Sequence, residues 1–160
     1  MKKITIFVLF IGSLLGCATT SELDRIADAR PTPELSPQEV VELQLTAFRS
    51  NDEGDQGIGI AFRFASPRNR RATGPVERFA RMMRAPGYRP MLLFEEATYS
   101  ATVVRGRVAL QRVALTVDGE TIRYDFYLTR QEGGNYDDCW MTESVYIVPP
   151  DSGSPQTLNV

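Results

Sequence analysis

The spacing of apolar residues changes character near residue 92, and that change limits the fold more than any other feature of the chain. Before it, Val40, Val41, Leu43, Leu45, Ala47 and Phe48 fill one broad helical face. Ile58, Ala61, Phe62 and Ala65 repeat a helical spacing, as do Val76, Phe79, Ala80 and Met83. From Leu92 onward the period is two: Ile122, Tyr124, Phe126 and Leu128 alternate with Arg123, Asp125, Tyr127 and Thr129, as in a strand buried on one face. Helices first and strands afterward predict an α+β fold, with three N-terminal helices packed on a strongly curved antiparallel sheet of about four strands.

Local signals set the boundaries. Ser36, Pro37 and Glu39 form a helix start, because the serine oxygen accepts from a first-turn amide, the glutamate reaches back, and proline sits where no donor is needed. "NDEGDQG" ends that helix near Ser50; Ser66 and Pro67 end the second; Thr73, Gly74 and Pro75 open the third, which "APGYRP" closes. Arg105-Gly106, Asp118-Gly119 and "EGGN" at 132–135 divide the remainder into strands near 94–103, 107–117, 121–130 and 138–148.

The amino terminus carries an address. Lys2 and Lys3 precede an apolar run from Ile4 to Leu15, the layout of a secretory signal. The run falls short of the roughly 20 residues a membrane-spanning helix needs. Leu14, Leu15 and Gly16 before Cys17 resemble a bacterial lipobox, which implies diacylglyceryl attachment to Cys17 and cleavage ahead of it. Residues 1–16 are then a signal peptide, 17–35 a lipidated terminus and tether, 36–148 the domain, and 149–160 a loose tail poor in apolar residues. Each buried methylene of an acyl chain contributes about 0.8 kcal/mol, so two or three chains anchor stably. The expected location is the cell envelope, lipid-anchored and facing the periplasm, with the outer membrane preferred because Ala18 follows the cysteine.

With Cys17 acylated, the one other cysteine, Cys139, has no partner for a disulfide and reads as a small apolar filler. The chain has no histidine, which removes the commonest metal ligand and general base. No metal site and no cofactor is expected. A net charge of −2 favours no polyanion as an overall partner, and export argues against nucleic acid.

"SPQEVVELQLTAF", "AFRFASP", "PVERFARMMRAPGYRP", "VALQRVALTVDGE" and "CWMTESV", in this order, resemble the domain of unknown function 4864 family across nearly all of 36–148. That resemblance implies a nuclear transport factor 2-like cone, a bent sheet wrapped around three helices with a cavity at its open end. It brings no catalytic residues with it. The wider fold hosts both enzymes and binding modules.

Candidate chemistry is sparse. Eight arginines lie between Arg63 and Arg89 against one acid, Glu77, and Arg78, Arg81 and Arg84 make a candidate anion-binding surface, although a solvated helix face is the plainer explanation. Arg112 interrupts the mostly apolar "VALQRVALTV" and needs a partner if buried, with Asp125 or Glu143 in reach. Tyr88, Arg112, Tyr124 and Trp140 are the candidate ligand-binding residues of the cone, each with core filling or ion pairing as its competing explanation. No catalytic residue is assigned. The expected function is a lipid-anchored binding or envelope-support module with a small-ligand or protein-partner site in or near the cone. The alternative is a small hydrolase, isomerase or dehydratase using an interior carboxylate (Asp125, Asp138 or Glu143) with Arg112 or Tyr124. A homodimer built sheet to sheet is compatible with either.

Overall fold

In the computed structural model, which describes residues 21–150, the change of period near residue 92 becomes a division between a helical half and a sheet. The signal peptide, Cys17 and the tail from 151 lie outside the described residues. The helical half is α1 (Glu22–Ile26), α2 (Pro37–Arg49), α3 (Gln56–Arg63), α4 (Pro67–Thr73), α5 (Val76–Met83) and α6 (Pro90–Leu93). The sheet follows as β1 (Glu96–Tyr99), β2 (Val103–Arg105), β3 (Val108–Val117), β4 (Glu120–Arg130) and β5 (Trp140–Val148). All its pairings are antiparallel, in the order β1-β3-β4-β5, with β2 continuing along the β1 edge of β3.

The expected α+β class holds, but the three expected helices become six among the described residues. Ser66 and Pro67 stop α3 and at once start α4, since the Ser66 hydroxyl accepts from the Asn69 amide at 3.0 Å with proline in the first turn. The same Ser-Pro pattern starts α2, where Ser36 and Glu39 complete a reciprocal capping box at 2.8 and 3.3 Å. Leu92, from which the period of two is counted, lies with Leu93 at the end of α6.

The expected strand at 94–103 is broken in two. Between the pairs Tyr99↔Val113 and Val103↔Leu110, one edge has three residues and the other two. The buried Gln111 side chain fills the break, donating to Ser100 O at 2.8 Å and accepting from the Thr102 hydroxyl. A second irregularity lies in β5, where Glu143 is the extra residue between Thr142, opposite Leu128, and Ser144, opposite Tyr127.

Residues 21–35, read as part of a tether, pack on the domain. Ile26 is buried, Leu23, Ala29 and Leu35 lie against the core, and Arg63 holds the segment by donating to Ala27 O at 2.7 Å. The core lies between α2, α3, α5 and one face of the sheet, built from Val40, Leu45, Ile58 and Phe79 on the helical side and Val113, Leu115, Tyr124, Phe126 and Leu128 on the other. α2 and α3 meet closely at Gly57, where a β-carbon would stand 2.1 Å from Ala47 O. Only glycine fits that contact.

Candidate functional site

A cavity of about 440 Å³ lies between α2, α4, α5, the loop before α6 and β5. Its apolar floor comes from the helices: Phe48 from α2, Phe79, Met82 and Met83 from α5, and Met91 from α6. These are the residues that the 3.6-residue period turns inward, with methionine supplying flexible, polarisable surface. The cavity is of a size that accepts a small ligand, and its mixture of apolar walls with a few polar groups is typical of such sites.

The polar rim is built across long sequence separations. Asn69 on α4 donates to Thr142 O at 3.0 Å, and Thr142 donates from its hydroxyl to Gln44 Oε1 at 2.6 Å. Gln44, buried in α2, passes the chain of bonds on to Ala61 O at 3.1 Å. Beside it Glu143 accepts from the Ser66 hydroxyl at 2.6 Å and pairs with Arg68 at 3.3 Å. Arg68 is mostly in water, so that pair is a weak one, on the order of 0–1 kcal/mol. Tyr88 lies on the opposite rim, its hydroxyl 3.4 Å from Val145 O.

Of the four residues expected to line the cone, the cavity takes Tyr88. Tyr124 lies in the core, fully buried, with its hydroxyl donating to Gly87 O at 2.9 Å. Burial pushes its phenol up to about 12, with a smaller contribution from Tyr88. Trp140 is core filling, with the Arg130 guanidinium 6.0 Å from its ring centre. Arg112 does not face the cavity, because the alternation that points Val113 to the helices points Arg112 to the outer face. There it meets Asp125 in a buried two-bond pair, 2.7 and 2.8 Å, and these bonds hold its guanidinium pKa above the ordinary value.

A smaller hollow of about 280 Å³ lies beside this pair, bounded by Tyr127, Tyr146 and the end of β5. The rings of Tyr127 and Tyr146 meet edge to face, 5.7 Å apart at 80°. Arg78 and Arg81 lie exposed on α5, while Arg84 is engaged with Asp55 at 2.5 Å and holds that carboxyl below its usual range.

Sequence reasoning gave Met83 only as part of a helical face, and named neither Met82 and Met91 nor Arg68 and Asn69. Their signal was the second Ser-Pro start at 66–67, which places α4 against β5. Cys139 is buried and free, and burial, followed by the charges of Glu34, Asp137 and Asp138, pushes its thiol pKa up. With Cys17 changed to serine, Cys139 in the native chain should react with iodoacetamide at neutral pH at least about tenfold more slowly than in urea. Equal rates would show a reactive thiol.

Among the described residues no helix is long and apolar enough to cross a membrane, and no group of three or more Cys, Asp or Glu side chains could hold a metal ion. Searches of curated proteins and of solved structures find no match. A family model does match residues 32–154, covering all of the sheet, helices α2 to α6 and both hollows; the packed segment 21–31, with Ile26 in the core, lies ahead of the match. The chain therefore belongs to the DUF4864 family, a domain of unknown function.

Proposed function

We propose that this protein is a binding module of the cell envelope, held to the membrane by acyl chains on Cys17 and using the cavity beside β5 as its site. The observation that carries this reading is the cavity's composition: a phenylalanine and methionine floor under a rim of amide, hydroxyl and one weakly paired carboxylate. Such a surface suits a ligand or partner segment with an apolar body and a polar end. The lipobox-like residues before Cys17 support a periplasm-facing location, with the outer membrane preferred. Helices packed on one side of an antiparallel sheet are also what a nuclear transport factor 2-like cone requires, and we adopt that assignment as part of the proposal. A sheet-to-sheet homodimer would leave the cavity accessible from the helical side.

The enzyme alternative has less support. A general acid or base needs a carboxylate that is hard to ionise and within reach of a substrate. Asp125 is bound by Arg112 on the far face, Asp138 is half-exposed with Arg107 and Arg130 nearby, and Glu143 already accepts from Ser66 and Arg68.

Carbon-13 methyl labelling of methionine tests the site directly. Decanol or decanoate, added below micellar concentrations, should move the Met82, Met83 and Met91 methyl signals and leave Met141 unmoved, because Met141 does not line the cavity. Uniform small shifts of all four, or none, would remove the cavity as a binding site.

A further inference from the structure

We infer that the partner of this site is an extended stretch of another protein that adds as a strand to the free edge of β5 and drops an apolar side chain into the methionine-lined cavity. This rests on the binding reading above and names the occupant. β5 ends the sheet order, so among the described residues one of its edges has no neighbouring strand. At Thr142 that edge is used by the chain itself: the Thr142 amide donates to Phe64 O at 2.8 Å, and its carbonyl accepts from the Ser66 amide at 2.9 Å. The 64–66 segment, leaving the end of α3, thus shows that the edge accepts backbone hydrogen bonds from a neighbouring segment.

Beyond Thr142 the edge is open among the described residues. Because Thr142 points both backbone groups away from β4, and Glu143 is an added residue, Ser144 and Tyr146 turn their backbones to β4 while Val145 and Ile147 turn theirs outward. Tyr88 confirms the direction at Val145, and its 3.4 Å contact is longer than a good hydroxyl bond of about 2.7–2.8 Å. Among the described residues no strand pairs with Val145 or Ile147 along this edge. An incoming amide would replace a weak bond with a strong one.

The two hollows flank this same edge from opposite faces. The cavity reaches Val145 from the helical side, and the smaller hollow reaches Tyr146 and Val148 from the outer side. Side chains of an added strand alternate between faces at about 3.3 Å per residue, so the one opposite Val145 enters the cavity and those opposite Tyr146 and Val148 meet the outer hollow. A small molecule would use one hollow and leave the edge. Charge defines the flank: Arg68, beside the Thr142 end, is exposed on α4 in a stretch with one acid among eight arginines, so acidic residues should border the apolar position.

Fluorescein-labelled octapeptides provide the test, with threonine and valine alternating, leucine, methionine or phenylalanine at the centre, and glutamate at both ends. Binding to the full chain is followed by anisotropy. Methylating the alternate amides that face β5 should weaken binding at least tenfold, and methylating the intervening amides should not. Val145→Pro should have the same effect, since its amide lies outside the β4 ladder and proline is tolerated on such an edge. If that variant does not fold, the methylated peptides decide alone.

Binding indifferent to methylation overturns the added strand. So does an absence of peptide binding while decanol still moves the Met83 methyl signal, and in that case the cavity stands as a small-molecule site. If neither probe moves that signal, both readings fall. Peptide binding that emerges only when residues 151–160 are deleted also overturns the inference, making the chain's own terminal segment the occupant.

Discussion

Arg112→Leu is expected to lower the unfolding free energy by about 3–5 kcal/mol, the range for removing one partner of a buried ion pair. The cost comes from Asp125, which is 6% exposed and would lose both of its guanidinium bonds. Asp125 lies opposite Arg112 in the β3–β4 ladder, so backbone pairing keeps the two in place when one side chain changes. The informative comparison is the double variant Arg112→Leu with Asp125→Leu. Replacing a whole buried pair by apolar groups is often neutral or stabilising, by roughly 1–4 kcal/mol, so the second change should restore most of what the first removes. Urea unfolding with an unchanged slope would measure both. A single-variant loss below about 1 kcal/mol would mean the pair acts like a surface ion pair and does little for the fold.

Tyr124→Ala should cost about 3–5 kcal/mol, as deletion of a fully buried aromatic ring does. Tyr124→Phe should cost about 1 kcal/mol, the contribution of its bond to Gly87 O. The smaller change is the more telling for function. Gly87 precedes Tyr88 on the cavity rim, so loosening that carbonyl should weaken cavity binding severalfold while the melting temperature falls by about 3–5 °C.

Tyr124 also gives a pH signature. Its phenol is pushed from 10.0 to about 12 in the folded chain, as is that of Tyr99, in both cases first by burial. A folded pKa above the unfolded one stabilises the fold fully below about pH 10, and the contribution is lost as pH rises from about 10 to 12. Tyr124→Phe should therefore flatten the alkaline loss of stability without abolishing it, because Tyr99 remains. An unchanged alkaline limb would show that Tyr124 ionises like a solvent-exposed tyrosine.

What could be read from the sequence was what is encoded locally. The capping box at Ser36, the turns at Gly106 and at Asp118-Gly119 with their positive φ, and the period of β4 each depend on residues within a few positions of one another. The misreadings share a different origin. Ser66-Pro67 is both an end and a beginning, and what makes α4 worth forming is Asn69 meeting Thr142, seventy-three residues away. The break after Tyr99 is filled by Gln111, a contact no local pattern announces. The same limit governed the site. Tyr88 was recognisable as an aromatic near a rim, but which face Arg112 takes depends on strand register, and the cavity walls depend on where α4 crosses β5.

The single inserted residue in β5 has a further effect. Because a strand's two faces are assigned by odd and even count, the extra Glu143 switches the core-facing positions of β5 from even numbers, at Trp140 and Thr142, to odd ones, at Val145. A chain lacking that residue would pair Thr142 and Ser144 with Leu128 and Tyr127 in an unbroken ladder, keeping the Thr142 hydroxyl on the Gln44 side while removing the carboxylate that accepts from Ser66. Deletion there would leave the faces of β5 where they are and strip the rim of its one carboxylate.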